Sequence, residues 1–415
     1  MQVSYREEVK QLSRDQLAAI DAGQSERVER LVDLSRINSG SNNLEGLGIT
    51  LQMLLRLADP LDAAISVTDL APIQTLSDSA EIISTEVGKL ATIQKRSEAP
   101  RQLLLVGHYD TVFSATHEFQ NPSWSSDKIL QGPGVADMKG GILVMLAALS
   151  VLESAPEADQ VGWTIIFNPD EELGSLSSAD SLAAAAASHH LGMVFEPSFP
   201  DGNLAGQRKG SGTYRFVARG VAAHAGRDHH LGRNAVAALS RLTADLDALN
   251  GTWPETTINV GYFHGGGPTN IVPDLAVLKL NVRIPDAATA DAVAATLKSL
   301  ALSYSVDGIS IEVDGFFSRP PKILTPQIED LLNYAREIGS TLGLDISSKA
   351  TGGVSDGNNL AAAGLPNLDN LGVHGGAIHS GNEHVYVESM SERAKLSAAM
   401  MLSFARGDLD RALRL

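Results

Sequence analysis

The chain has no cysteine in its 415 residues. That absence excludes disulfides and thiolate metal sites, and it fits a reducing compartment. Aromatic residues are sparse, at 5%. Basic residues are outnumbered: 32 Lys and Arg against 49 Asp and Glu leave a net charge of −17. A surface this acidic repels phosphate backbones, and no dense basic stripe offsets it, so nucleic-acid binding is not expected. No apolar run reaches the roughly 18 residues that a membrane span requires, so no membrane association is expected. The opening residues, MQVSYREEVKQL, are polar and lack the apolar core of a secretory signal. These absences together predict a cytoplasmic protein.

What remains is an ordinary globular composition, 43% hydrophobic and 20% charged. The length predicts two domains. Apolar residues recur at helical spacing over 14–36 and 43–58. A polar loop is expected next, then the short apolar run LLLVG (103–107), which suits a strand buried on both faces. Helix is expected at 139–153, strand at 163–168, helix at 175–187 and strand at 191–195. That alternation predicts a mostly parallel sheet with helices on its faces. From Gly210 the order changes to strand (212–220), helix (233–249), strands (256–263 and 275–284), helix (287–302) and strand (309–317). This is the β-α-β-β-α-β order of a ferredoxin-like unit. Helices are expected again over 326–342 and 388–406. The reading is an α/β chain: a split first domain (1–209 and 322–415) with a ferredoxin-like domain (210–321) inserted.

Metal-ligating side chains gather just past the ends of the predicted strands. GHYDTV carries His108 and Asp110, GPGVADMKGG carries Asp137, NPDEELGS carries Glu171 and Glu172, FEPS carries Glu196, and HSGNEH carries His379. Ligands of an open parallel sheet bind outside the carboxyl ends of its strands. The fold would therefore bring these residues to one edge. Imidazoles and carboxylates without thiols suit zinc or a similar divalent ion. Two ions need about this many ligands, with one carboxylate shared. Asp110 is close enough to His108 to fix its tautomer by accepting its second ring N–H. A single acidic residue at a strand end is more often a helix cap, and a pair such as Glu171-Glu172 is often only a surface pair favoured by a helix dipole. The accumulation of such ends argues for the metal reading.

These motifs, in this order, resemble the family-20 dizinc metallopeptidases. The resemblance covers almost the whole chain. That family includes the glutamate carboxypeptidase (carboxypeptidase G) branch, acetylornithine deacetylases, succinyl-diaminopimelate desuccinylases and aminoacylases. It implies a dizinc α/β catalytic domain with an inserted ferredoxin-like lid that often dimerises. It implies two Zn2+, with Co2+ or Mn2+ as substitutes. His108 and Glu196 would hold one ion, Glu172 and His379 the other, with Asp137 between them. Glu171 would be the general base and Asp110 the residue orienting His108. GVAAHAG places His224 where the family has a His that reaches an active site, commonly across a dimer. GGGPTNIVPD and LNVRIPD place Asn270 and Arg283 at substrate positions, and FFSRPP places Arg319 where a substrate carboxylate would be gripped. A planar guanidinium fork suits that task. Arg283 and Arg319 could instead be lid salt-bridge residues, Asn270 a turn residue and His224 a structural histidine.

The resemblance implies a zinc-dependent hydrolase. It would cleave an amide bond and release a C-terminal, glutamate-like amino acid from a peptide or N-acyl conjugate. QRKGSGTYRF, FFSRPP and GGVSDGN tilt the reading that way. An N-acyl-amino-acid deacylase needs the same metal centre. A metal-binding interaction protein without catalysis is the third reading, and the intact Glu171 counts against it.

Overall fold

The apolar run LLLVG lies at the centre of the molecule, inside a strand of eight residues whose side chains are almost all buried. The computed structural model describes residues 12–415. The reading of the first residues as leaderless falls outside them. Helices α1 (Arg14–Ala22), α2 (Gln24–Arg36) and α3 (Leu44–Ala58) come first. Ser13 and Gln16 form a capping box at the start of α1. Gly23 divides the expected 14–36 stretch into two helices. Strands β1 (Ala64–Thr68), β2 (Leu90–Lys95) and β3 (Arg101–His108) follow, then α4 (Lys139–Glu153), β4 (Val161–Asn168), α5 (Ala179–Ala186) and β5 (Leu191–Val194).

The stretch between α3 and β3 is not the polar loop expected from the sequence. It holds β1, β2 and an exposed hairpin pairing Ile73–Leu76 with Ile82–Thr85. All of β1 is exposed, so the strand is held through its backbone pairing with β2. A strand that buries no face leaves no hydrophobic alternation to read.

The central sheet has the order β1-β2-β4-β3-β5 and closes with β10 (Asn367–Leu368). From β4 to β10 every pairing is parallel, while β1 and β2 form an antiparallel edge. Alternating residues of β3 serve opposite cores, as strand geometry requires. Leu103 and Leu105 join the cluster containing α4 residues, whereas Leu104 and Val106 join that of Leu182 and Leu360. Gly141 lets α4 approach the end of β5: a Cβ there would lie 2.0 Å from the carbonyl oxygen of Phe195. That contact sets the helix beside Glu196.

The lid runs β6 (Gly210–Arg219), α6 (Ala235–Asp247), β7 (Thr257–Gly265), β8 (Leu275–Ile284), α7 (Ala287–Ser303) and β9 (Ser310–Arg319). Its sheet order is β7-β8-β6-β9, antiparallel throughout. This is the ferredoxin-like arrangement. One face packs Tyr214, Phe216, Leu278, Leu280 and Val282 against α6 and α7. The opposite face carries Ser211, Thr213, Arg215, Lys279 and Arg283, all lining one cavity. The chain then returns through α8 (Pro326–Thr341), α9 (Asp356–Ala362), β10 and α10 (Ser389–Arg406), a buried helix packed on α4.

Candidate metal centre

The carboxyl ends of β3, β4 and β5 open into a cavity of about 800 Å³ between the central sheet and the lid. His108, the last residue of β3, is buried behind the cavity-lining Asp137 and Glu196. Its Nδ1 lies 3.1 Å from the carbonyl oxygen of Asp110 and 3.3 Å from Asp110 Oδ1. Its Nε2 lies 3.0 Å from Asp137 Oδ1 and 3.7 Å from Glu196 Oε1. The other oxygen of Asp137, Oδ2, lies 3.2 Å from His379 Nε2. His379 Nε2 is in turn 3.3 Å from Glu172 Oε2. Asp137 thus presents one oxygen to each imidazole, with Glu196 on one side and Glu172 on the other.

Two sets of donors each lie within 4.8 Å of one another: His108, Glu171 and Glu196, and His108, Asp137 and Glu172. The first set includes Glu171, which the sequence reading reserved as a base. His379 reaches the group from a backbone at φ 62°, a left-handed conformation that few side-chain-bearing residues adopt. Such an outlier at a site marks a position held by its surroundings.

The electrostatics show what the cluster needs. Burial, reinforced by the charge of Asp137, pushes the Glu172 carboxyl up to about 8 and raises that of Glu196 well above the ordinary value. Asp137 is also buried, but the two histidines outweigh that cost and lower its pKa. The hydrogen bonds of His379 to Asp137 and Glu172 raise its pKa to about 11. Burial opposes a charge on His108, yet Asp110, Asp137 and Glu196 bring its pKa well above the usual value. Packed carboxylates of this kind are costly unless a cation compensates them. A divalent ion would do so, and the oxygen and imidazole donors match one of zinc type. The residues therefore fit a metal centre.

Around this centre Asp110 does more than face His108. Its Oδ1 accepts from the Glu171 N–H at 3.2 Å, and its Oδ2 accepts from the Glu172 N–H at 3.2 Å and the Ser41 hydroxyl at 2.7 Å. It therefore ties the end of β3 to the loop after β4. The sequence reading missed Glu383. This buried carboxylate accepts from the N–H groups of Gly134, Ala136 and Asp137 at 2.9–3.2 Å and fixes the Asp137 loop from behind. Burial raises its pKa to about 7. Its signal in the sequence is the acidic residue of HSGNEH, four positions after His379.

The proposed substrate residues divide. Arg283 lines the cavity, and its Nη1 is buried without a hydrogen-bond partner among the described residues. Its Nε donates to Asn281 Oδ1 at 2.9 Å. Arg319 also lines the cavity but is buried against Glu171, with a side-chain contact from Nη1 to Glu171 Oε1. It is not presented as an open carboxylate clamp. His224 and Asn270 sit side by side where Ala223–His224 pairs with Ile271–Val272. Both are exposed, and neither lines the cavity. The structure brings the metal-type residues, Glu171, Arg283 and Arg319 together and leaves His224 and Asn270 outside.

The family model for peptidase family M20/M25/M40 matches residues 104–403. The chain belongs to that family. It is 28% identical to carboxypeptidase G2 of Pseudomonas sp. (strain RS-16), over 92% of this chain and 89% of the relative. It is also 28% identical to a succinyl-diaminopimelate desuccinylase of Cupriavidus taiwanensis (strain DSM 17343 / BCRC 17206 / CCUG 44338 / CIP 107171 / LMG 19424 / R1), over 69% of this chain and 77% of the relative. Its fold is similar to the crystal structure of an M20 family metallo-carboxypeptidase, Sso-CP2, from Sulfolobus solfataricus. That match has a TM-score of 0.71 at 16% identity and covers 92% of this chain and 99% of that one. As an M20 protein the chain is a metallohydrolase, with catalytic domain and lid arranged as in that family's peptidases. No helix among the described residues is long and apolar enough to cross a membrane.

Proposed function

We propose that this M20 enzyme cleaves an amide bond and releases a C-terminal acidic amino acid from a peptide or N-acyl conjugate. The observation that carries the amide hydrolysis is the shared carboxylate, with Asp137 Oδ1 toward His108 and Oδ2 toward His379, and the acidic preference rests on the unpartnered Arg283 Nη1 in the cavity. His108 and Glu196 would hold one divalent ion, Glu172 and His379 a second, and Asp137 both; zinc fits these donors best. When bound, such ions supply Lewis-acid polarisation of the scissile carbonyl and lower the pKa of water.

The remaining work belongs to the chain. Glu171 takes the proton of the attacking water and returns it to the leaving amine, which requires hydrogen-bond reach to both. Asp110 holds both the His108 ring and the Glu171-Glu172 backbone, so the base and the metal side move as one unit. Arg283 receives the carboxylate of the departing amino acid through its unpartnered Nη1. Lys279 and Arg215 face the same cavity on neighbouring strands, opposite each other in register. Arg215 is paired with Asp314 at 2.8 Å, so Lys279 supplies the freer positive charge, which favours an acidic side chain. His224 and Asn270 would serve the centre of a second copy, joined through the lid.

Desuccinylase relatives support a second reading, deacylation of an N-acyl amino acid with the same centre. A panel of N-acyl-glutamates, dipeptides and acetyl-amino acids, assayed with zinc, separates the two. Preference for an acetyl-amino acid without an acidic residue would refute the carboxypeptidase reading. Glu171→Ala should retain metal and lose about 10²–10⁴-fold in kcat. Near wild-type turnover on the preferred substrate would overturn the role of Glu171.

A further inference from the structure

We propose that Arg319 is a positioning residue: it orients the Glu171 carboxylate and links the setting of the base to the seating of the lid. The inference rests on Glu171 being the base.

Arg319 is the last residue of β9, the strand through which the chain leaves the lid. Its side chain is only 2% exposed. Nη1 contacts Glu171 Oε1. Nη2 donates to the Glu171 carbonyl oxygen at 2.8 Å and to the Ser175 hydroxyl at 2.7 Å. Asp356 Oδ1 lies 3.7 Å from Nη2 and accepts from the Ser175 hydroxyl. Asn168 Nδ2, at the end of β4, donates to the other oxygen of Asp356 at 2.7 Å. One guanidinium fork therefore holds the side chain and the backbone of the same glutamate, and a buried network holds the fork.

Three consequences follow. Oε1 is held by Arg319, so Oε2 is the oxygen left to exchange a proton. A planar fork fixes direction as well as charge, which an ammonium does not. Because Arg319 belongs to a lid strand, a shift of the lid relative to β4 moves the base. The exit is itself anchored, with Asn358 Nδ2 donating to the Pro320 carbonyl oxygen at 2.8 Å. A carboxylate of a bound substrate would have to displace Glu171 and Ser175 from the two terminal nitrogens of this arginine, leaving the inner Nε as its unpartnered nitrogen, whereas Arg283 offers a terminal Nη1 in the same cavity.

The test compares Arg319→Met, Arg319→Lys and Glu171→Ala in the zinc-loaded enzyme. The probes are the best N-acyl-glutamate of the panel and its α-carboxamide. Arg319→Met should lower kcat about 10²-fold, the scale of a misplaced catalytic group, with KM within about threefold. It should keep the wild-type discrimination between acid and carboxamide. Arg319→Lys should recover part of kcat. A rise in KM with kcat unchanged, or loss of discrimination, would make Arg319 a substrate clamp and overturn the proposal. Should Arg319→Met lose metal or melt early, Ser175→Ala carries the test: a several-fold fall in kcat at constant KM supports it, and wild-type kcat overturns it. An active Glu171→Ala would refute the base assignment itself, while an inactive Glu171→Ala with unaffected Arg319→Met refutes only the present inference.

Discussion

The two walls of the cavity differ in how fully their charges are compensated. On the catalytic wall, Asp110 accepts three hydrogen bonds. Arg208 there forms a two-pronged pair with Asp369, Nε to Oδ2 at 2.7 Å and Nη2 to Oδ1 at 3.0 Å. On the lid wall, Arg283 keeps a buried unpartnered nitrogen, and Lys279 stands 4.0 Å from an exposed Asp78. A wall whose groups are fixed by one another is suited to conserving a reaction geometry. A wall with unspent donors is suited to choosing a ligand. Damage to the first wall, or to Arg319, which reaches from the lid into that wall's network, should therefore lower kcat or metal content, and damage to the open lid donors such as Arg283 should raise KM.

The largest effect should come from Asp137→Ala. It removes the carboxylate common to both imidazoles. Metal content should fall steeply, and activity by at least about 10³-fold, beyond the 10–100-fold typical of an outer partner. Full metal occupancy by elemental analysis would separate the cluster from metal binding.

Glu383→Gln probes an outer partner. It keeps one acceptor oxygen for the N–H groups of Gly134, Ala136 and Asp137 but removes the charge. Metal affinity should weaken about 10–100-fold, measured by competition with a chelator. Arg283→Ala probes the opposite wall. Loss of a charge-assisted hydrogen bond, about 1.5–3 kcal/mol, should raise KM for an N-acyl-glutamate about 10–100-fold, with metal content and kcat little changed. A fall in kcat instead would erase the distinction between the walls.

The same distinction shows what the sequence reveals. The central strands and the metal-type residues were legible because burial on both faces writes continuous apolar runs, as in LLLVG and WTIIF, and the ligand types follow at their ends. Glu383 was not, because an acid that caps a loop from behind has no periodicity. The hairpin and β1 were not, because exposed strands bury no stripe. The partner of Arg319 was not, because Glu171 lies far away in sequence and the pairing depends on how the lid meets the sheet. His224 and Asn270 carried a recognisable setting, yet one chain alone leaves them away from the cavity.

The Arg208–Asp369 pair predicts a pH dependence on the catalytic wall. Burial works against a charge on Asp369, but Arg208 and Lys322 outweigh it and hold the carboxyl at about 2. Its ordinary value is about 3.9. The folded pKa is the depressed one, so this stabilisation is present above about pH 4 and is lost as pH falls toward about 2. It should amount to about 2–3 kcal/mol. Melting curves between pH 5 and 2 should show Asp369→Asn, already destabilised at pH 5, losing less further stability than the wild type. Parallel curves would mean the pair does not govern the acid limb.

The smallest effect belongs to the lid wall's loosest contact. Asp78 projects from the exposed hairpin, and Gln74, Thr75 and Leu76 of that hairpin line the cavity. Asp78 and Lys279 are 53% and 32% exposed. Exposed pairs of this kind contribute about 0–1 kcal/mol and are screened by salt. Asp78→Asn should therefore leave the melting temperature nearly unchanged. It also removes the negative charge beside Lys279, so anionic substrates should meet a more positive lid. KM for an N-acyl-glutamate should fall by less than about fivefold at low ionic strength, and the gain should vanish at high salt. A salt-independent change would show that the hairpin acts through shape rather than charge, and would place it with the fixed wall.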